Sequence, residues 1–214
     1  GMSIVGNVEN LINGVGELWN KYVKHEFILK MRDGSLPLDI FRYYLIQDGK
    51  YVEDMLRALL IASSKGPIDK VTKILNLVFS SRDKGLETHG KLYSKLDISR
   101  DVIVKTGYNL INYAYTRHLY YYANLDWNKF LVAWTPCMFG YSIVGDYVID
   151  SPNEVYKTWA SFYASTEYKK RIEAILYALD EVSITEDLLN IFINSVRFEI
   201  GFWDASLRKD PTVY

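Results

Sequence analysis

Residues 37–64 read Pro37-Leu-Asp-Ile-Phe-Arg-Tyr-Tyr-Leu-Ile-Gln-Asp48-Gly-Lys-Tyr-Val-Glu-Asp-Met-Leu-Arg-Ala-Leu-Leu-Ile-Ala-Ser-Ser64, and they decide the fold. Ile40, Tyr43, Tyr44, Tyr51, Met55, Leu59 and Ala62 recur at spacings of three and four, the period of a helix with one buried face. Pro37 suits the first turn, where its missing N–H removes no intrahelical bond. The same punctuation recurs at Pro67, after Lys65-Gly66, and at Pro152, after Ser151. Ser183-Ile-Thr-Glu186 fits a capping box ahead of a second apolar stripe, Leu188, Leu189, Phe192, Val196, Trp203 and Leu207, with Glu199 among them. Read this way, the chain predicts helices over 7–32, 37–64, 67–95, 100–123, 127–149, 152–164, 166–180 and 185–208. Short joining loops favour antiparallel neighbours. The expectation is an all-α bundle of about eight helices, a single domain over 1–214.

Composition narrows the function. The 214 residues are 49% apolar and 24% charged, with a formal charge of -1. That balance argues against disorder, and the missing basic excess argues against a nucleic-acid partner. No apolar run approaches the roughly 20 residues of a membrane span, so the expectation is a cytoplasmic protein without a membrane partner. Gly1 ahead of Met2 reads as an addition to a natural start at Met2. The single cysteine, Cys137, excludes an internal disulfide or a multi-cysteine zinc site. Neither a phosphate-binding glycine loop nor the Glu-x-x-His pairs of di-iron bundles occur, so no metal and no cofactor is expected. Tyr (18) outnumbers Phe (9). Such an excess fits a polar-lined cavity, wet subunit interfaces or a Tyr-rich surface.

Three ionisable groups stand inside apolar stripes. Asp48 shares a helix face with Tyr51. Cys137 follows Pro136, which should kink its helix, and shares a face with Tyr141. Glu199 lies within Val196-Arg-Phe-Glu-Ile-Gly-Phe-Trp203. A carboxyl there is paired, hydrogen-bonded or protonated, and a raised pKa is what a general acid near neutral pH needs. A thiol, two carboxyls and several tyrosines on inward faces resemble an enzyme pocket within a bundle. Solvated edges, salt bridges and a small buried thiol are the plainer alternatives for the same residues.

In these blocks the chain resembles the TenA family, the thiaminase II proteins of thiamine salvage. The resemblance runs through Lys24-His-Glu-Phe27, Asp33-Gly-Ser-Leu-Pro37, Phe41-Arg-Tyr-Tyr-Leu-Ile-Gln-Asp48, Ala114-Tyr-Thr-Arg-His-Leu-Tyr120, Pro136-Cys-Met-Phe-Gly-Tyr141, Trp159-Ala-Ser-Phe-Tyr163 and Phe198-Glu-Ile-Gly-Phe-Trp203. It implies a haem-oxygenase-like helical fold without haem, commonly a homotetramer. It also implies hydrolysis at the exocyclic methylene of a 4-amino-2-methylpyrimidine, with thiamine or the aminomethyl pyrimidine as substrate. By the same resemblance Cys137 is the nucleophile, Glu199 the proton donor, and Asp48 the aspartate that binds the substrate amino group and helps activate the thiol. Tyr51, Tyr115, Tyr141 and Tyr163 match aromatic pocket positions, and Phe202 adds to the wall. Glu26 and Ile143 depart from the family pattern, where Pro and a carboxylate are usual. A pyrimidine sensor or carrier without turnover, and a transcriptional regulator, remain as other readings.

Overall fold

The computed structural model describes residues 6–214, so the reading of Gly1 and Met2 lies outside the described residues. Twelve helices and no strand occur among the described residues. They arise from the eight expected segments because three of these are broken. Segment 7–32 is divided into α1 (Asn7–Val15), α2 (Leu18–Val23) and α3 (Glu26–Asp33). Gly16, at φ 67°, ends α1 in a conformation that costs most other residues energy. His25 then caps α3, its Nδ1 accepting from the Phe27 amide at 3.0 Å. Glu26 stands at the first position of α3, the site a family Pro would occupy, and pairs with Lys30 one turn on.

Segment 37–64 is one helix, α4 (Leu38–Ser63). Segment 67–95 breaks at Ser81 into α5 (Ile68–Ser80) and α6 (Arg82–Lys95). Segment 100–123 breaks at 106–109 into α7 (Arg100–Lys105) and α8 (Leu110–Leu125), where Asn109 caps α8. Then follow α9 (Trp127–Val148), α10 (Glu154–Tyr163), α11 (Thr166–Asp180) and α12 (Glu186–Arg208). The capping box expected at Ser183 is corrected. Thr185 is the cap, accepting from the Leu188 amide, so an apolar residue rather than Glu sits at the third position. Pro37 and Pro67 are the residues just before their helices, and Pro152 precedes the cap Asn153.

The architecture turns on α9. Its sequence is apolar on every side, which fits burial on every side, and it packs against α2, α3, α4, α8, α10, α11 and α12. Pro136 is accommodated inside this helix, which continues to Val148. The Tyr22 hydroxyl donates to the Pro136 carbonyl at 2.8 Å, tying α2 to the turn that carries Cys137. One hydrophobic core runs from Val8 to Trp203. No helix among the described residues is long and apolar enough to cross a membrane.

Gly140 is what allows Tyr22 so close to α9: a Cβ there would overlap the Tyr22 ring. Gly140→Ala therefore forces a rigid aromatic to move within a full core. It should destabilise the protein by about 1–3 kcal/mol, read as a melting temperature several degrees lower. An unchanged melt would show that α2 is not held against this turn.

Candidate active site

The sequence singled out Asp48, Cys137 and Glu199 on three separate helices, and the fold brings α4, α9 and α12 together. All three side chains are almost fully enclosed, with exposures of 3%, 6% and 2%. Asp48 and Cys137 open on a cavity of about 430 Å³, together with Tyr51, Tyr141 and Tyr163. Its size lies in the roughly 300–1,000 Å³ range of small-molecule sites. Tyr115, Glu199 and Phe202 stand outside that lining. They form the layer behind it: Tyr51 packs on Tyr115 at 5.0 Å and on Phe202 at 6.0 Å, and the Tyr115 hydroxyl donates to Glu199 Oε1 at 2.7 Å.

Local sequence sets these positions. Gln47, next to Asp48, clamps α4 to the start of α8. Its side-chain oxygen accepts from the Asn109 amide and from Asn112 Nδ2, both at 3.0 Å, while its Nε2 donates to the Gly107 carbonyl at 2.9 Å. That buried network sets the Asp48–Tyr51 turn of α4 against Tyr115 of α8. Eight of the eighteen tyrosines are buried, among them Tyr44, Tyr51, Tyr115, Tyr141, Tyr163 and Tyr168. The Tyr excess therefore serves the cavity and its supports in good part. Tyr113, Tyr121, Tyr147, Tyr177 and Tyr214 are exposed.

Burial governs the protonation of the site. Desolvation lifts the Asp48 carboxyl to about 7, against a smaller opposing pull from the Tyr44 hydroxyl. Desolvation likewise lifts Glu199 to about 8. The Tyr115 hydrogen bond works against this and the Asp48 charge adds to it. The Cys137 thiol is pushed well up by burial and then by Glu199, with Tyr51 working the other way. At neutral pH the resting site thus holds a thiol and a protonated Glu199. Tyr115 occupies Oε1 of Glu199 as a donor, which leaves the other oxygen to carry the proton. Asp48 Oδ2 makes no hydrogen bond among the described residues, and the Tyr51 hydroxyl has the Cys137 thiol beside it. A ligand that donates to Asp48 would supply that missing partner.

Sequence reasoning passed over His89 and Tyr44 as site residues. His89 lines the cavity. Its Nδ1 is 2.8 Å from the Gly85 carbonyl, so Nδ1 carries the proton. Nε2 then faces the Tyr163 hydroxyl at 3.4 Å and Asp48 Oδ2 at 3.8 Å. Burial lowers its pKa, keeping it neutral beside Asp48. The Gly85–His89 spacing of four was the only signal available, and it is common in any helix. The hydroxyl of Tyr44 is 2.7 Å from that of Tyr141, an orienting contact between α4 and α9. No group of three or more His, Cys, Asp or Glu positioned for a metal occurs among the described residues. Ile143, the other departure from the family pattern, packs against the core.

Residues 13–209 match the TENA/THI-4/PQQC family. The fold is similar to that of a TenA-like protein from Sulfolobus solfataricus P2, 99% identical over 99% of this chain and 100% of the other, with a TM-score of 0.97. An uncharacterized protein of Haemophilus influenzae is 28% identical over 94% of this chain and 98% of its own length. An aminopyrimidine aminohydrolase of Halalkalibacterium halodurans is 26% identical over 90% of this chain and 91% of its own.

The raised carboxyls make stability depend on pH in a defined direction. A group that keeps its proton in the folded protein, but releases it when unfolded, contributes stability that is lost as pH rises through its folded pKa. For Asp48 and Glu199 that contribution is intact below their ordinary values of 3.8 and 4.5, and is lost as pH rises through about 7 and about 8. The urea midpoint should fall between pH ~5 and ~9, and Glu199→Gln should flatten the decline. An equally steep decline in that variant would assign it to other groups.

Proposed function

Because the chain belongs to the TENA/THI-4/PQQC family, we propose that it is a hydrolase acting at the exocyclic methylene of 4-amino-2-methylpyrimidines, with Cys137 as covalent nucleophile. The observation that carries this reading is the cavity wall itself. The Cys137 thiol, with the Tyr51 hydroxyl beside it, shares a cavity with an Asp48 oxygen that makes no hydrogen bond among the described residues, in an aromatic enclosure sized for a small ring. An aminopyrimidine supplies the missing partner: its 4-amino N–H donates to Asp48, and its flat face stacks on Tyr rings.

The chemistry gives each group a role. Direct displacement at the methylene is slow while the ring keeps its aromaticity. The Cys137 thiolate adds to the ring carbon beside the methylene-bearing carbon, forming a C–S bond, while the ring nitrogen that receives the electron pair takes a proton supplied by Glu199 from behind the cavity wall. The 4-amino nitrogen, held by Asp48, then pushes its lone pair through the ring and breaks the bond from the methylene to the leaving group. Thiazole departs as such, and an amine departs as ammonia from its protonated form. Water adds to the exocyclic methylene and loses a proton. Cleavage of the C–S bond and return of the ring proton to Glu199 restore the aromatic ring and the thiolate. Covalent catalysis of this kind divides one hard step into easier ones.

The thiol needs a base, because burial holds it protonated. Asp48 is placed for that task, with a pKa near 7 and an unpaired oxygen in the same cavity. The same reading makes the protein a cytoplasmic homotetramer, and the exposed tyrosines are suitable material for subunit contacts.

Turnover of thiamine and of 4-amino-5-aminomethyl-2-methylpyrimidine tests the assignment. Cys137→Ser should abolish both reactions, and Glu199→Gln should slow them by about 10²–10⁴-fold, with circular dichroism unchanged in each. Normal rates in both variants would refute covalent catalysis. Tight binding without turnover by the wild-type protein would replace the enzyme with a carrier or sensor.

A further inference from the structure

We propose that the part of the same cavity lined by Arg171 and Arg82 binds a phosphate ester on the leaving-group arm of the substrate. The inference rests on the aminopyrimidine reading above and names the substrate class more closely. Arg171, on α11, lines the cavity and is only 7% exposed. A guanidinium so enclosed ordinarily has a carboxylate partner, yet Arg171 forms no ion pair among the described residues. Its Nε donates to Ser81 Oγ at 2.7 Å and its Nη2 to the Val78 carbonyl at 3.1 Å, both neutral acceptors. Nη1 makes no hydrogen bond among the described residues.

The placement of Arg171 relative to the thiol is equally specific. Its guanidinium sits 5.3 Å from the Phe162 ring centre and 5.6 Å from that of Tyr168. The Tyr168 hydroxyl in turn donates to the carbonyl of Met138, the residue after Cys137, at 3.1 Å. One aromatic layer therefore separates the cation from the nucleophile. Ser81, which Arg171 grips, is followed by Arg82, an exposed cavity residue and the first of α6. No side chain caps that helix start, and Asp83 in its first turn offsets part of the positive potential of its amides, so the anion contacts fall to the two guanidinium groups.

Charge accounting points the same way. Arg82, Arg100 and Arg171 line the cavity, against Asp48 and Glu53, which Arg57 already engages at 3.3 Å. A bare thiazolium leaving group is a cation and would meet these guanidinium groups unfavourably. A phosphate on the hydroxyethyl arm reverses that sign and offers an acceptor to each guanidinium, with bonds stronger than neutral ones.

The test compares kcat/KM for thiamine, its phosphate monoester and its hemisuccinate, using the intact protein. The wild type should favour the phosphate monoester over thiamine by at least about tenfold, the equivalent of one charge-assisted hydrogen bond. That ratio should fall towards one in Arg82→Ala and in Arg171→Gln, and Arg171→Lys should retain part of it. Arg82 is exposed, so its variant remains informative even if Arg171→Gln unfolds. A wild-type ratio near one, or a ratio unchanged in Arg82→Ala and in folded Arg171→Gln, overturns the proposal. An equal gain with the hemisuccinate overturns the phosphate assignment in favour of carboxylates. Hydrolysis of neither thiamine nor the aminomethyl pyrimidine would instead refute the aminopyrimidine reading, and this subsite with it.

Discussion

The structure depends on one constraint: α9 lies in a dry interior, so water is not there to satisfy its backbone. Pro136 withholds an N–H from the middle of the helix, which frees the Val132 carbonyl one turn back. Hydroxyls bind other carbonyls of the same stretch. Thr135 donates to the Leu131 carbonyl at 2.7 Å, Ser195 to Ala133 at 2.7 Å, Tyr22 to Pro136 at 2.8 Å and Tyr168 to Met138 at 3.1 Å. Four carbonyls within two turns thereby bind three neighbouring elements as well as α9 itself. Cys137 sits in the middle of that girdle. Its position is set by bonds that tolerate little displacement, because each hydroxyl is itself enclosed.

The enclosure also fixes the charge state. Three acidic groups share a space where ionising any one raises the cost of ionising the next. Asp48, Glu199 and Cys137 thus titrate as a set. Tyr115 on Glu199 and the neutral His89 beside Asp48 hold the set without adding a compensating cation. In such a site a ligand changes the proton arrangement when it binds. An N–H donor against Asp48 favours its carboxylate form, and a basic ring nitrogen draws the proton of Glu199. In the proposed reaction the binding of a donor–acceptor ring and the activation of the thiol are then the same electrostatic event, which is where preorganisation is most effective.

How much of this was readable without coordinates differs between levels. The all-α fold and the inward stripes of α4 and α12 follow from period alone, since Tyr44, Tyr51, Met55 and Leu59, and then Phe192, Val196 and Trp203, all lie in the core. The breaks at Gly16, His25, Ser81 and Tyr108 did not, because the apolar period carries across them and only the local backbone turns. Asp48, Cys137 and Glu199 stood out as ionisable groups among apolar neighbours, a signal that burial makes legible. Tyr115 and Phe202 came from resemblance, and the fold places them behind the wall rather than in it. His89, Gln47 and Arg171 were silent. Their roles come from partners 60 or more residues away in Gln47 and Arg171, and from one turn of helix geometry in His89.

The cavity therefore carries two kinds of polar group. Burial favours the protonated forms of Cys137 and Glu199 and lifts Asp48 to about 7; the guanidinium of Arg171 keeps its charge, because Arg remains protonated in any protein environment. A wholly apolar pocket would bind a pyrimidine by stacking with little preference for direction. With Asp48 and Tyr51 on α4 and Arg171 on α11, a ligand that reverses its direction leaves carboxylate and guanidinium both unmatched. Wrong orientations then carry the desolvation cost of two buried polar groups rather than merely a weaker contact. The helix breaks that sequence period concealed serve this arrangement. The turn at Ser81 presents the hydroxyl that grips Arg171, and the turn at 106–109 presents the groups that lock Gln47 beside Asp48. Both kinds of group are thus held by irregular segments on an otherwise regular bundle.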